Sequence, residues 1–217
     1  MSPQVAVLTA LYGDYDTLKP VLPQSRPFTE WVLVTDREPD PELSRGWRVV
    51  IEPLPWMSPR RAAKLPKLRP WDYTDASESV WIDASFRVTS QWFVAQALEH
   101  ADPIAQFSHP ERDCLYDEAD AVSVLGMDDP DTVAQQCDAY RRADHPRHWG
   151  LWASGVIVRQ HTDRVKRFGW IWSESVAAWS HRDQISEPYA LRMAGLWPAE
   201  FPGHYADNDW LSYEAHR

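Results

Sequence analysis

Apolar residues along the chain fall into short unbroken runs rather than strict alternation. Residues 5–12 (VAVLTALY) end at Gly13-Asp14, residues 31–35 (WVLVT) end at Asp36, and residues 47–51 (WRVVI) lie between Gly46 and Pro53. Runs of this kind suit strands buried on both faces. Residues 79–88 (SVWIDASFRV) predict a strand that breaks at Asp83 and resumes. Residues 104–107 predict a short strand, and residues 151–159 (LWASGVIVR) the last strong one. Between these runs the spacing turns helical. Residues 58–68 predict a helix capped by Ser58 with Pro59 at its first position, shortened or kinked at Pro66. Residues 90–100 predict another, capped by Ser90, with Trp92, Phe93, Ala97 and Leu98 on one face. Helices are also expected over 114–124, 130–143, 163–179 and 183–193. No repeat of about 20 to 50 residues and no low-complexity tract interrupts the alternation. The pattern predicts one α/β domain over residues 1–217, with a mostly parallel sheet and helices on both faces.

Composition narrows the function. A chain of 217 residues buries about 70% of its unfolded surface and needs neither disulfides nor a structural metal to fold. Its 22 Lys and Arg against 32 Asp and Glu leave a net charge of -10, which excludes bulk binding to nucleic acid or anionic membrane. The two cysteines, Cys114 and Cys137, make no disulfide framework. No run of about 18 apolar residues occurs, and the first residues lack the basic region of a leader, so the expectation is a cytoplasmic protein with no membrane span. Glycine is scarce, and neither GxxxxGK[ST] nor GxGxxG is present; HExxH, GxSxG, CxxC and the kinase motifs are absent too. Thirteen tryptophans serve either as core mass, the favoured reading, or as flat surfaces for stacking sugars and bases.

Ligands of such sheets sit at the carboxyl ends of the strands, where the sequence places Gly13, Asp14, Asp36, Asp83, Ser85 and His109. Asp83 interrupts an otherwise buried strand. It is either a turn carboxylate or the ligand of a divalent cation that neutralises a departing diphosphate. Such a cation site usually reads Asp-x-Asp, and here Ser85 takes the second place, adding a hydroxyl but no charge. Asp14-Tyr15-Asp16 has the Asp-x-Asp spacing, yet it follows Gly13 and reads first as a turn, with a nucleotide contact as the other reading. Arg60, Arg61, Lys64, Lys67 and Arg69 form the one dense basic stretch; residues 60, 64 and 67 share a helical face that is either solvated or a cradle for a diphosphate. His109 and Glu118, near Arg112 and Tyr116, are a candidate acid–base pair. Arg182, Asp183 and Gln184 open a helix, where Asp183 suits both a cap and a site. His204 is a candidate neutral imidazole ligand for a metal.

In order along the chain, LTALYGDYDTL, RRAAKLPKLRPW, SVWIDAS, SHPERDCLYDEA, SGVIVRQH and HRDQIS resemble a glycosyltransferase-like family. It was first catalogued as a domain of unknown function, with members among plant mucilage-related proteins and bacteria. The likeness covers roughly residues 5 to 195. It implies a GT-A-like fold and a glycosyltransferase that moves a sugar from a nucleotide-diphosphate donor to an acceptor hydroxyl, with retention by analogy to the retaining galactosyl- and glucosyltransferases it resembles. On that likeness Asp83 and His204 would hold Mn or Mg, and Asp183 and Gln184 would match an Asp-Gln pair beside the anomeric carbon, with Arg182 next to them. Gly13, Asp14, Tyr15 and Asp36 would contact the nucleoside, and Lys64 and Lys67 the diphosphate. The acceptor is left open among glycan, lipid, protein and modified nucleobase. Two other readings stand beside it: a non-catalytic carbohydrate- or nucleotide-binding module, which the serine at 85 favours, and a ceramidase- or glycosidase-like hydrolase using Asp83, His109 and Glu118.

Overall fold

The computed structural model describes residues 3–214. Nine strands and seven helices are laid out as the alternation requires. Strands β1 (Val5–Leu11), β2 (Thr29–Thr35), β3 (Arg48–Ile51), β4 (Glu78–Ile82), β6 (Ile104–Ser108), β7 (Trp152–Gln160) and β8 (Ala199–Glu200) form one sheet in the order β3-β2-β1-β4-β7-β6-β8. The pairings of β1 with β2 and β4, of β2 with β3 and of β6 with β8 are parallel, whereas β7 runs against both β4 and β6. The mixed, mostly parallel sheet is the architecture expected. The reversal of β7 brings its beginning, Ser154-Gly155, to the end of the sheet where β1, β2 and β4 finish.

Both faces of the sheet are covered, which is why the apolar runs do not alternate. On one face Val7, Leu33, Val80, Val156 and Phe107 pack with α3 (Phe93–His100). On the other, Leu8, Val34, Trp81 and Ile157 pack with α6 (Asp163–Ala178) and α7 (Asp183–Ala194). A third cluster joins α4 (Leu115–Val124) and α5 (Pro130–Arg142) to Ile185 of α7. Six tryptophans, among them Trp81, Trp152 and Trp172, lie in these cores. Trp56, Trp92, Trp170 and Trp197 are exposed, so core mass accounts for only part of the tryptophan content.

Four local expectations are corrected. The helix over 58–68 is two single turns, α1 (Pro59–Ala62) and α2 (Leu65–Leu68), because Pro66 has no N–H to continue the ladder. Ser58 caps α1 as expected, accepting from the Arg61 N–H. Ser90 does not cap α3: its hydroxyl accepts from Trp92 N–H, and the helix starts at Phe93. Asp183 is the first residue of α7, with Arg182 at the cap position. Past Asp83 the strand does not resume in the same sheet. Instead β5 (Phe86–Val88) pairs with β9 (Leu211–Tyr213) in a separate ribbon.

The basic segment is held close to α6 by a glycine. A Cβ at Gly169 would run into the Leu68 carbonyl oxygen and the Trp71 ring. Arg61 then reaches the end of α6, donating to the carbonyls of Val176 and Trp179. Replacement Gly169→Ala is therefore expected to destabilise the fold by about 1–3 kcal/mol, although alanine is the better helix former, and the check is urea denaturation beside the parent protein.

Candidate active site

At the end of the sheet the β1 turn, α1 and α2, the Asp83 loop, the start of β7 and the start of α7 enclose a cleft of about 580 Å³. Three segments place charged and polar groups on its wall: Arg60, Lys64 and Lys67 from the basic segment, Asp83 from the end of β4, and Arg182, Asp183 and Gln184 from the start of α7. The convergence follows from the fold. Strand β4 ends at Ile82, so Asp83 emerges at the sheet edge, and α7 packs over the same face with its first turn beside it.

The floor of the cleft is an ion cluster. Lys67 is 1% exposed, and its Nζ lies 2.5 Å from Asp183 Oδ2, 3.8 Å from Asp83 Oδ1 and 3.0 Å from Ser154 Oγ. Lys64 Nζ stands 3.0 Å from Asp183 Oδ1. Burial alone would push the Lys67 ammonium toward neutrality, and the carboxylates of Asp183 and Asp83 reverse that, holding its pKa above the ordinary value. Burial would likewise raise Asp183, but Lys64 and Lys67 hold its carboxyl far below the usual range. Asp83 Oδ1 also accepts the indole N–H of Trp81 at 2.7 Å, which fixes its rotamer. Beside it the bare Cα of Gly155 leaves room, since a Cβ there would meet the Phe86 ring at 2.8 Å.

A second hollow of about 380 Å³ adjoins the cleft and shares Leu11, Tyr15 and Asp16 with it. Gly13 takes φ +67°, the left-handed backbone of a tight turn, and its N–H donates to Asp36 Oδ2 at 2.9 Å. Arg37 bridges to Asp14 Oδ1 at 2.7 Å, so Asp14-Tyr15-Asp16 is a turn. Arg60 donates to the Tyr15 hydroxyl at 2.8 Å and lies over its ring, joining the basic segment to that turn.

Other expected residues stand apart from the cleft wall. Ser85 is 3% exposed, and its carbonyl accepts from Glu214 N–H on the far side of the Asp83 loop. Asp36 backs the second hollow and does not line it. His109 caps its own loop, its Nδ1 accepting from Glu111 and Arg112 N–H, and Glu118 is held by Arg112 at 2.8 Å. His109 Nε2 and Glu118 Oε2 do meet, at 3.8 Å, but neither residue lines the cleft with Asp83. His204 turns its Nδ1 onto Ala206 N–H in the β8–β9 loop, outside the cleft lining. Arg61 and Arg69 leave the cradle for α6 and for Asp72. Among the described residues one trio of metal-type ligands exists, Cys114, Asp117 and His148, and it too lies outside the cleft lining. Sequence reasoning missed Trp81, Ser154, Gly155 and the Asp128 carboxylate. Asp128 accepts from Ser180 Oγ at 2.6 Å and His181 N–H at 2.9 Å, anchoring the turn before Arg182.

Removing one side of the Lys67–Asp183 pair leaves a buried charge without its partner. Asp183→Asn is expected to destabilise the protein by about 3–5 kcal/mol. Adding Lys67→Met should recover part of that loss, and a double-mutant cycle in urea measures the coupling.

The comparisons agree with this architecture. Residues 2–196 match the model of the TOD1/MUCI70 glycosyltransferase-like domain. The chain is similar to the probable hexosyltransferase MUCI70 of Arabidopsis thaliana, with 29% identity over a 174-residue alignment that covers 73% of this chain and 30% of the plant protein. The chain thus spans under a third of that relative's length. With the match running through β1, the basic segment, Asp83 and the Arg182-Asp183-Gln184 turn, the chain belongs to the TOD1/MUCI70 glycosyltransferase-like family.

Proposed function

We propose that this domain transfers a hexose from a nucleoside-diphosphate donor to an acceptor hydroxyl, with retention at the anomeric carbon. The observation that carries the reading is the meeting of Asp83, Lys64, Lys67 and the Arg182-Asp183-Gln184 turn around one cleft. The family and the plant hexosyltransferase supply the class of reaction. The hollow beside Gly13, Asp14 and Tyr15 suits the nucleoside, with Asp36 holding the turn. Arg60, Lys64 and Arg182 face the diphosphate and stabilise the charge that grows as the donor bond breaks. Asp183 and Asp83 accept from sugar hydroxyls, and Gln184 lies beside the developing cationic sugar. The bond from the anomeric carbon to the diphosphate oxygen breaks as the bond to the acceptor oxygen forms on the same face. The acceptor proton passes to the departing diphosphate, so no side-chain base is required.

A divalent cation held by Asp83 and His204 fits this cleft poorly. Asp83 Oδ1 already faces an indole N–H and an ammonium, and both Asp183 oxygens meet lysines. Ser85 is buried outside the cleft lining, and His204 serves its own loop. Among the described residues no trio of metal-type ligands lines the cleft. Hard divalent cations want several anionic oxygens free to coordinate. The side-chain cations supply the neutralising charge in this reading.

Two measurements test it. Melting temperature in the presence of UDP- or GDP-sugars should rise equally with EDTA and with Mn, and no shift with any donor would reject the reading. Asp83→Asn should keep the fold and lower donor turnover about 100-fold or more, as loss of a group acting on the reacting centre does. Donor binding without turnover on glycan, lipid, protein or modified-nucleobase acceptors would point to a binding module instead.

A further inference from the structure

Helix α7 carries a second acid one turn beyond Asp183. Residues four apart share a helical face, so Glu187 points into the same interior. It is 0% exposed, as are Gln106 of β6 and Arg159 of β7. Glu187 Oε1 accepts from Gln106 Nε2 at 2.6 Å. Its Oε2 has no hydrogen-bond partner among the described residues, and neither has any of the three side-chain nitrogens of Arg159. Below the cleft floor, then, lies a sealed polar layer that the transfer reaction does not touch.

Its charge can be argued from placement. Three carboxyl groups, Asp83, Asp183 and Glu187, share the field of the Lys67 ammonium. Asp183 also has Lys64, and Asp83 is one-third exposed with an indole N–H. Glu187, fully buried, has one neutral amide on Oε1 and no hydrogen-bonding side chain of the described residues on Oε2. Acids that crowd one site do not all ionise, and the proton goes to the one with the weakest support for its charge. The charged groups facing Glu187 are Lys67 from α2, Arg159 from β7 and Asp183 from its own helix. Burial first, and then Asp183, push its carboxyl up to about 8, against the pull of Lys67, Gln106 and Arg159.

We propose that Glu187 stands protonated at neutral pH and is a positioning residue of the donor site: while neutral it leaves the Lys67 ammonium to Asp83, Asp183 and the incoming phosphates, and on ionising it draws that charge away from them. The positioning role rests on the donor-site reading above; the protonation does not. In charge terms the six groups Lys64, Lys67, Arg159, Asp83, Asp183 and Glu187 sum to zero when all are ionised. They sum to one positive charge when Glu187 holds its proton, the state that favours an anionic donor.

The test compares the protein with Glu187→Gln. Infrared difference spectra near neutral pH should show a carboxylic-acid carbonyl band in the parent, absent from the variant and lost as pH rises through about 8. No such band would overturn the proposal. In calorimetric titration with UDP and GDP, parent affinity should fall several-fold above that pH while E187Q binds with no such fall. An identical alkaline fall in both proteins would overturn the positioning role. A folded protein that shows the band yet binds neither nucleotide at any pH would overturn the donor reading, and the positioning role with it. The parent should also lose stability as pH rises from about 4.5 through about 8, because the folded chain holds this proton more tightly than the unfolded one. E187Q should lack that slope. If E187Q does not fold, Gln106→Met reads the same group: losing the amide should move the alkaline fall to higher pH, and an unmoved fall would overturn the proposal.

Discussion

The domain is organised around the contact between the Lys67 ammonium and the Asp183 carboxylate, a buried ion pair that joins the basic segment to the start of α7. Such a pair contributes little net stability, because desolvating both groups costs about as much as their attraction returns. What it provides is register. Lys67 reaches Asp183 only if α2 lies flat on α6, which the bare Gly169 permits, and only if α7 begins at the sheet edge. The same ammonium approaches Asp83, so one cation aligns two neighbouring segments with the distant start of α7.

Charge in this cleft is arranged by depth. The exposed Arg60 and the half-buried Arg182 line the opening; Lys64 and Asp183 stand behind them; Lys67 forms the floor. A protein with net charge -10 repels anionic ligands over most of its surface, so a local cationic wall marks out this cleft electrostatically.

The larger elements were legible because their cause is local. Strands β1, β2, β3, β4 and β7 announce themselves as apolar runs, since both faces of the sheet are covered. Asp83 was legible because a carboxylate interrupting such a run has few structural reasons to be there. The Arg182-Asp183-Gln184 turn and the basic segment were legible as motifs, though their meeting was not, because no local pattern encodes an approach between α2 and α7. Strands β8 and β9 are two and three residues long, too short to show a period. His109 and His204 lie outside the cleft lining, and sequence could not foretell that: an imidazole that caps its own loop has the same sequence signature as one that serves a ligand. Ser154 and Gly155 escaped because a strand running backwards brings its first residues to the site, and the rule for strand ends looks at the last.

The ribbon of β5 and β9 carries one more consequence. The loop bearing Asp83 is fastened by the Glu214 N–H on the Ser85 carbonyl and by Lys19 and Arg87 on the Glu214 carboxylate. The family match covers residues 2–196, so β9 and Glu214 lie beyond it while their partners Lys19, Ser85 and Arg87 lie within it. Main-chain pairing asks little of side-chain identity. The Asp83 loop is thus buttressed through the backbone of a short strand, so substitutions in β9 that keep its chain extended leave the brace in place.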